Sequence, residues 1–160
     1  MYYAKARPRS RDTHVARRRW TAIKVAIVSE RLCEQMAFEP TGMLEYLKSR
    51  GCRIGGVTIG QRGLVWYDEA GTVQTLPAVA VPEDRVIDTS GAGDVFHGAH
   101  IYSYLTDAAK SWEEHFHFAR AAATHKIQHL GNEAGLPTLA DIAAIQIGKR
   151  VSRTGVESGR

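Results

Sequence analysis

An α/β fold is the class this 160-residue sequence predicts, on three observations. A β-branched run, Ile23-Lys-Val-Ala-Ile-Val28, suits a buried strand. A helix-spaced apolar segment and a second strand-like stretch follow it, so the order reads strand, helix, strand. The final third of the chain carries three more segments of helical spacing, enough to cover a sheet.

Each element has a local reason. Glu39-Pro-Thr-Gly42 leads into Met43-Leu-Glu-Tyr-Leu-Lys48, whose apolar positions keep helical spacing, and Gly51 closes that helix as a C-terminal cap. A strand is predicted near Arg53–Ile59, ending in Thr58-Ile-Gly-Gln-Arg-Gly63. Leu64–Tyr67 and Val73–Leu76 flank the turn Asp68-Glu-Ala-Gly71, which reads as a hairpin. Pro77 and Pro82 mark a loop, and Arg85-Val-Ile87 reads as a short strand. Helices are predicted near Ala92–Leu105, Trp112–His129 and Thr138–Ile147, separated at Thr106-Asp107 and Gly131-Asn132.

Composition places the chain among proteins that fold in water, with 44% apolar and 24% charged residues. The net charge of +4 is uneven. Residues 1–24 hold eight Lys and Arg against Asp12, a local +7, which leaves −3 for the remainder. We therefore expect a basic irregular tail over 1–22, a folded unit over 23–148 and a loose polar tail over 149–160. A nucleic-acid arm is set aside, because no aromatic platform or recognition helix accompanies the basic segment. No apolar run approaches the roughly 18 residues of a membrane span and no secretory block opens the chain, so the expected location is the cytoplasm. Cys33 and Cys52 read as reduced thiols in that setting.

The chemistry concentrates in Asp88-Thr-Ser-Gly-Ala-Gly-Asp-Val-Phe-His-Gly-Ala99. Gly91-Ala92-Gly93 lets backbone N–H groups approach a ligand with no Cβ in the way. A helix that starts there presents unsatisfied N–H groups and the positive end of its dipole, a site for anions and most naturally for phosphate. Asp94 in the first turn would repel a phosphate that was only being bound. It makes sense as a base that takes a proton from a hydroxyl attacking that phosphate; equally, it reads as an ordinary helix-start carboxylate beside a tight glycine turn. A dinucleotide fingerprint is excluded by Phe96 where its third glycine belongs, and a P-loop by the lack of Gly-Lys-Ser/Thr.

The ordered pattern Asp88-Thr-x-Gly-Ala-Gly-Asp94 with Phe96-x-Gly98-Ala99 resembles the C-terminal signature of the PfkB/ribokinase family of carbohydrate kinases. Val57-Thr-Ile-Gly-Gln-Arg-Gly63 is similar to that family's vTxGxxG segment. Gln128-His-Leu-Gly131 through Gly135-Leu-Pro137 resembles the stretch closing its nucleotide pocket. The resemblance runs from about Ile23 to Ile147 and implies a ribokinase-like, Rossmann-type three-layer α/β/α sandwich.

It further implies transfer of the ATP γ-phosphate to a sugar hydroxyl, with Mg²⁺ accompanying ATP. On that basis Asp94 matches the catalytic base and Gly91, Ala92 and Gly93 the anion hole. Gly60 and Gly63 match positions lining the ATP site, and Asp88 and Ser90 match positions that in many members ligate a monovalent cation such as K⁺. Two departures stand out. Where the family often has N-x-x-E, this chain reads Ser29-Glu-Arg-Leu32, with Glu30 as the nearby carboxylate. The family's N-terminal half, with most sugar contacts and the lid, has no counterpart here, so the domain is expected to be partial. The sugar and the oligomeric state are left open. The alternative function is a nucleotide-binding module that performs no chemistry alone.

Other groups are read as structural. His125 and His129 share a helical face, as do His97 and His100, but no third metal ligand accompanies either pair. His97 reads either as a cleft residue or as a partly exposed helix histidine. Trp66, Tyr67, Phe116 and Phe118 read as core, and Ala119, Ala121, Ala122 and Ala123 as a small-residue helix face that permits close packing against the sheet or against an adenine.

Overall fold

The computed structural model describes residues 24–154. The basic segment 1–22 and the end of the polar tail, 155–160, lie outside the described residues. Strands β1 (Val25–Ser29), β2 (Ile54–Thr58), β3 (Leu64–Tyr67) and β4 (Val73–Leu76) form one sheet in that spatial order. β1 and β2 run parallel, with Val28 opposite Val57, and the other two pairings are antiparallel. The parallel pair requires a crossover, which α1 (Glu30–Gln35) and α2 (Pro40–Ser49) supply. The hairpin and the helix before Gly51 therefore stand where they were expected.

Strand periodicity sends alternate side chains to opposite faces, and the core divides accordingly. Ala26, Val28, Val57, Val65 and Tyr67 pack with Cys33 of α1 and with Met43, Leu44 and Leu47 of α2. Val25, Ile27, Ile54, Leu64, Trp66 and Leu76 pack against Phe96 of α3 (Ala92–Thr106) and against Phe116 and Ala119 of α4 (Trp112–Lys126). Helices on both faces give the three-layer α/β/α arrangement. Trp66 meets Phe116 edge-on, centroids 5.0 Å apart, which seats α4 on the sheet. Helix α5 (Leu139–Thr154) joins α4 through Ile142, Ala121 and Ala122. Cys33 and Cys52 are both buried and free, and burial pushes both thiols up.

Four local expectations change. Helix α1 was not foreseen; it is a single short stretch capped by Ser29, whose hydroxyl accepts from the Leu32 N–H at 3.4 Å. Arg85–Ile87 is not a strand: Glu83–Arg85 form a 3-10 turn, and the N–H groups of Ile87 and Asp88 both go to the Ile127 carbonyl beyond α4. Among the described residues no strand lies beside the segment, and the helix end takes its donors. On α3 the buried residues are Phe96, His100 and Ser103, while Tyr102 and Leu105 are exposed at 47% and 77%. Ser103 turns inward because its hydroxyl lies 2.8 Å from His115 Nδ1 on α4. Residues 149–154, expected in the loose tail, continue α5 as helix.

Candidate functional site

Helices α4 and α5 begin with reciprocal side-chain caps. Ser111 accepts from the Glu114 N–H while Glu114 accepts from the Ser111 N–H, and Thr138 and Asp141 do the same. Helix α3 begins differently. Gly91 is its N-cap in the left-handed region at φ +75°, and among the described residues no side chain caps the first turn. The Ala92 N–H leans back to the Thr89 carbonyl at 3.3 Å, and Val95 N–H closes the first helical bond to Gly91 at 3.0 Å. Gly93 is exposed, with open space where a Cβ would stand.

This helix start opens on a cleft of about 630 Å³. Val95, Ala99 and Tyr102 of α3, Phe118 and Ala122 of α4 and Ile142 of α5 line it with apolar surface. The Tyr102 and Phe118 rings stack 6.0 Å apart at 20°, giving the cleft an aromatic wall. Its polar groups are few: Asp94 beside Gly91, with Asn132 and Thr138 across from them. A large apolar pocket with a few convergent polar groups is the usual form of a small-molecule site. The arrangement suits a ligand with a flat apolar body and an anionic end.

The expected site residues divide. Gly91 and Asp94 line the cleft, and Ala92 and Gly93 fill the turn between them. Gly60 and Gly63 do not line it. They shape the β2–β3 turn, where the Gly63 N–H donates to the Gly60 carbonyl at 2.9 Å. Glu30 is held by Arg62 of that turn, which ties the start of α1 to the loop leaving β2. His97 lies outside the cleft lining; its ring meets those of Phe96 and His100 edge-on, and burial pushes its pKa down. Among the described residues no group of three or more metal-ligating side chains converges. His125 and His129 stack 4.1 Å apart instead.

Asp88 and Ser90 do not form an open cation site. The Asp88 carboxylate accepts the Ser90 N–H at 2.9 Å, the Lys126 ammonium at 3.2 Å and the Gly131 N–H at 3.1 Å. These bonds, that from the Ser90 N–H first, hold its pKa well below the usual carboxylate range. The side chain of Lys126 is fully buried, and its charge neutralises the aspartate. The family's alkali cation therefore does not fit these residues as they stand: the position beside Asp88 already holds a protein cation.

Lys126, Asn132 and the Tyr102–Phe118 wall are the site residues that sequence reasoning missed. Lys126 closes the helix expected from Trp112, where a lysine in the last turn reads as a partner of the helix dipole. In the sequence Asn132 reads only as a helix separator. The signal for Phe118 was its aromatic character, which equally fits a core residue.

The model of the pfkB family carbohydrate kinases matches residues 7–139, so the matched span also takes in part of the basic segment. Ribokinase of Lactococcus lactis subsp. lactis (strain IL1403) is 31% identical over 116 residues, which are 72% of this chain and 36% of that protein. The chain thus spans about a third of that relative's length. Among solved structures, aminoimidazole riboside kinase from Salmonella enterica, complexed with aminoimidazole riboside and an ATP analog, superposes with a TM-score of 0.70 at 22% identity, covering 82% of this chain and 45% of that one. A protein described as ribokinase II from E. coli, in complex with ATP and Mg²⁺, gives 0.68 at 20% identity, with 85% and 42% covered. At such identities the structural likeness is one of fold, whereas the family match rests on sequence over most of the chain. The chain belongs to the pfkB family of carbohydrate kinases.

Proposed function

We propose that this chain carries the nucleotide-binding and proton-accepting part of an ATP-dependent sugar kinase. The observation that carries the reading is the uncapped start of α3: a left-handed Gly91, an exposed Gly93 and the Asp94 carboxylate together at the mouth of an apolar cleft. ATP fits this shape, its adenine against the apolar wall and its phosphates toward the helix N-terminus.

In this reading the Gly91–Gly93 backbone steadies charge on the transferring phosphoryl group, and Asp94 accepts the proton of the attacking sugar hydroxyl. Mg²⁺ supplies charge neutralisation on the phosphates when bound. Gly60 and Gly63 serve by holding the β2–β3 turn beside the Glu30–Arg62 pair.

The test is ATP-dependent phosphorylation of a panel of aldoses and ketoses, comparing the protein with its Asp94→Asn variant. A loss of at least about 10²-fold in kcat with nucleotide affinity retained is expected. Near-normal turnover removes Asp94 from the role of base. A second reading is a nucleotide-binding module without its own chemistry. Calorimetry separates the two: ATP binding without sugar-dependent ADP release supports the module, and no ATP binding removes both.

A further inference from the structure

Lys126 is among the largest fully buried side chains, and an uncompensated ammonium there would be strongly unfavourable. Its compensation is specific. Nζ lies 3.2 Å from Asp88 Oδ2, 3.3 Å from the Asp88 carbonyl oxygen and 3.5 Å from the His129 carbonyl oxygen. One carboxylate and two main-chain carbonyls are an all-oxygen donor set, the kind that surrounds a hard cation. Here the charge arrives on a side chain.

The surroundings are cut to the lysine stem. A Cβ on Gly135 would overlap Lys126 Cδ and stand 2.9 Å from its Cε, and one on Gly91 would stand 3.8 Å from that Cε. The same carboxylate accepts the Gly131 N–H at 3.1 Å, while its other oxygen accepts the Ser90 N–H. Lys126 thus joins three pieces of chain: the end of α4, the Asp88–Ser90 turn that launches α3, and the 129–131 loop that precedes Asn132 at the cleft. A free cation seated at Asp88 would place two positive charges against one carboxylate, an arrangement that repels.

We propose that Lys126 is a tethered monovalent cation, a positioning residue whose ammonium holds the start of α3 in its anion-receptive form and makes this protein indifferent to K⁺. Removing the amine uncovers the oxygen donors and creates a K⁺- or ammonium-responsive protein. The structural half of the proposal needs no nucleotide; its effect on ATP binding rests on the function proposed above.

The test is thermal unfolding of the protein and of Lys126→Met and Lys126→Gln in KCl, NH₄Cl or tetramethylammonium chloride at equal ionic strength. The unsubstituted protein is expected to melt at one temperature in all three salts. The variants are expected to melt lower in tetramethylammonium chloride and to recover by about 3 °C or more in KCl or NH₄Cl, the shift of a contribution near 1 kcal/mol. Asp88→Asn added to Lys126→Met is expected to abolish that recovery. A K⁺-specific rise in the unsubstituted protein overturns the proposal. So does a failure of both variants to respond to, or fold in, any of the salts. Calorimetry with Mg²⁺-ATP forms a separate arm: K⁺-independent affinity in the unsubstituted protein and K⁺-dependent affinity in Lys126→Met extend the proposal to the ligand. If no ATP binds anywhere while the melting pattern holds, the kinase reading fails and the tethered cation stands.

Discussion

Gly91 and Asn132 face each other so closely across the cleft mouth that a Cβ on Gly91 would stand 2.6 Å from Asn132 Oδ1. The glycine also holds φ at +75°, so a side chain there is opposed by backbone strain and by a polar neighbour. Gly91→Ala is expected to lower stability by about 1–2 kcal/mol and to weaken ATP binding, because the start of α3 and the Asn132 loop must move apart. Urea unfolding and calorimetry on the same preparation check both; unchanged affinity would show that the spacing across the mouth is not used by the ligand.

Gly93, two positions on, makes the opposite prediction for stability. It is exposed in the first turn of α3, and a Cβ would meet nothing within 4 Å. Alanine is the better helix former by up to about 1 kcal/mol, so Gly93→Ala is expected to hold or raise stability. If phosphate approaches this backbone, the same methyl group lowers nucleotide affinity. A variant that is more stable and binds ATP equally well would move the phosphates away from Gly93.

Gly60 and Gly63 separate in the same way within one turn. Gly63 has φ +98° and ψ −125°, and a Cβ there would overlap the Leu76 carbonyl, whereas Gly60 has φ +57° and open space. Alanine at Gly63 is expected to cost about 3 kcal/mol or more, against about 1 kcal/mol at Gly60. Denaturant midpoints of the two variants test this order, and equal losses would deny the turn its tight packing on β4.

Acid sensitivity should come from the α3–α4 interface. Burial pushes His100 down to about 4 from its ordinary 6.5, helped by the positive charge that His97 and His115 would carry, and burial pushes His115 down as well. The folded protein therefore holds these rings neutral, while the unfolded chain takes up protons below about 6.5. Their contribution is present above that value and lost as pH falls toward 4. Asp88, held well below the usual carboxylate range, loses its contribution only in more acid solution. Melting temperatures between pH 7.5 and 4 should decline, and His100→Leu, which places an apolar group beside Phe96 and Phe116, should flatten that decline. An equal slope in the variant would assign the sensitivity elsewhere.

Much of this architecture was legible because its causes are local. The hairpin from Leu64 to Leu76, the helix stopped before Gly51 and the helix start at Gly91 each depend on neighbours a few positions away. Helix α1 escaped because six residues are too short to show a helical period. The Arg85–Ile87 segment misled because β-branched residues signal extended chain but not a neighbouring strand, and Ile127 took its donors. The buried face of α3 was displaced from Tyr102 and Leu105 because Ser103 found His115 on another helix.

The sequence by itself determined the hairpin, the helix before Gly51, the three later helices, the family, and the meeting of Gly91 and Asp94 at one helix start, since these follow from periodicity and from a contiguous motif. Only the tertiary structure decided what neutralises Asp88, which residues wall the cleft and which side of α3 is buried. Lys126 lies 38 positions from Asp88 in the chain, and no periodicity relates them. Their contact exists because α4 packs beside α3 and carries its last turn to the base of the Asp88 loop. A buried charge then takes the partner that the packing brings within reach.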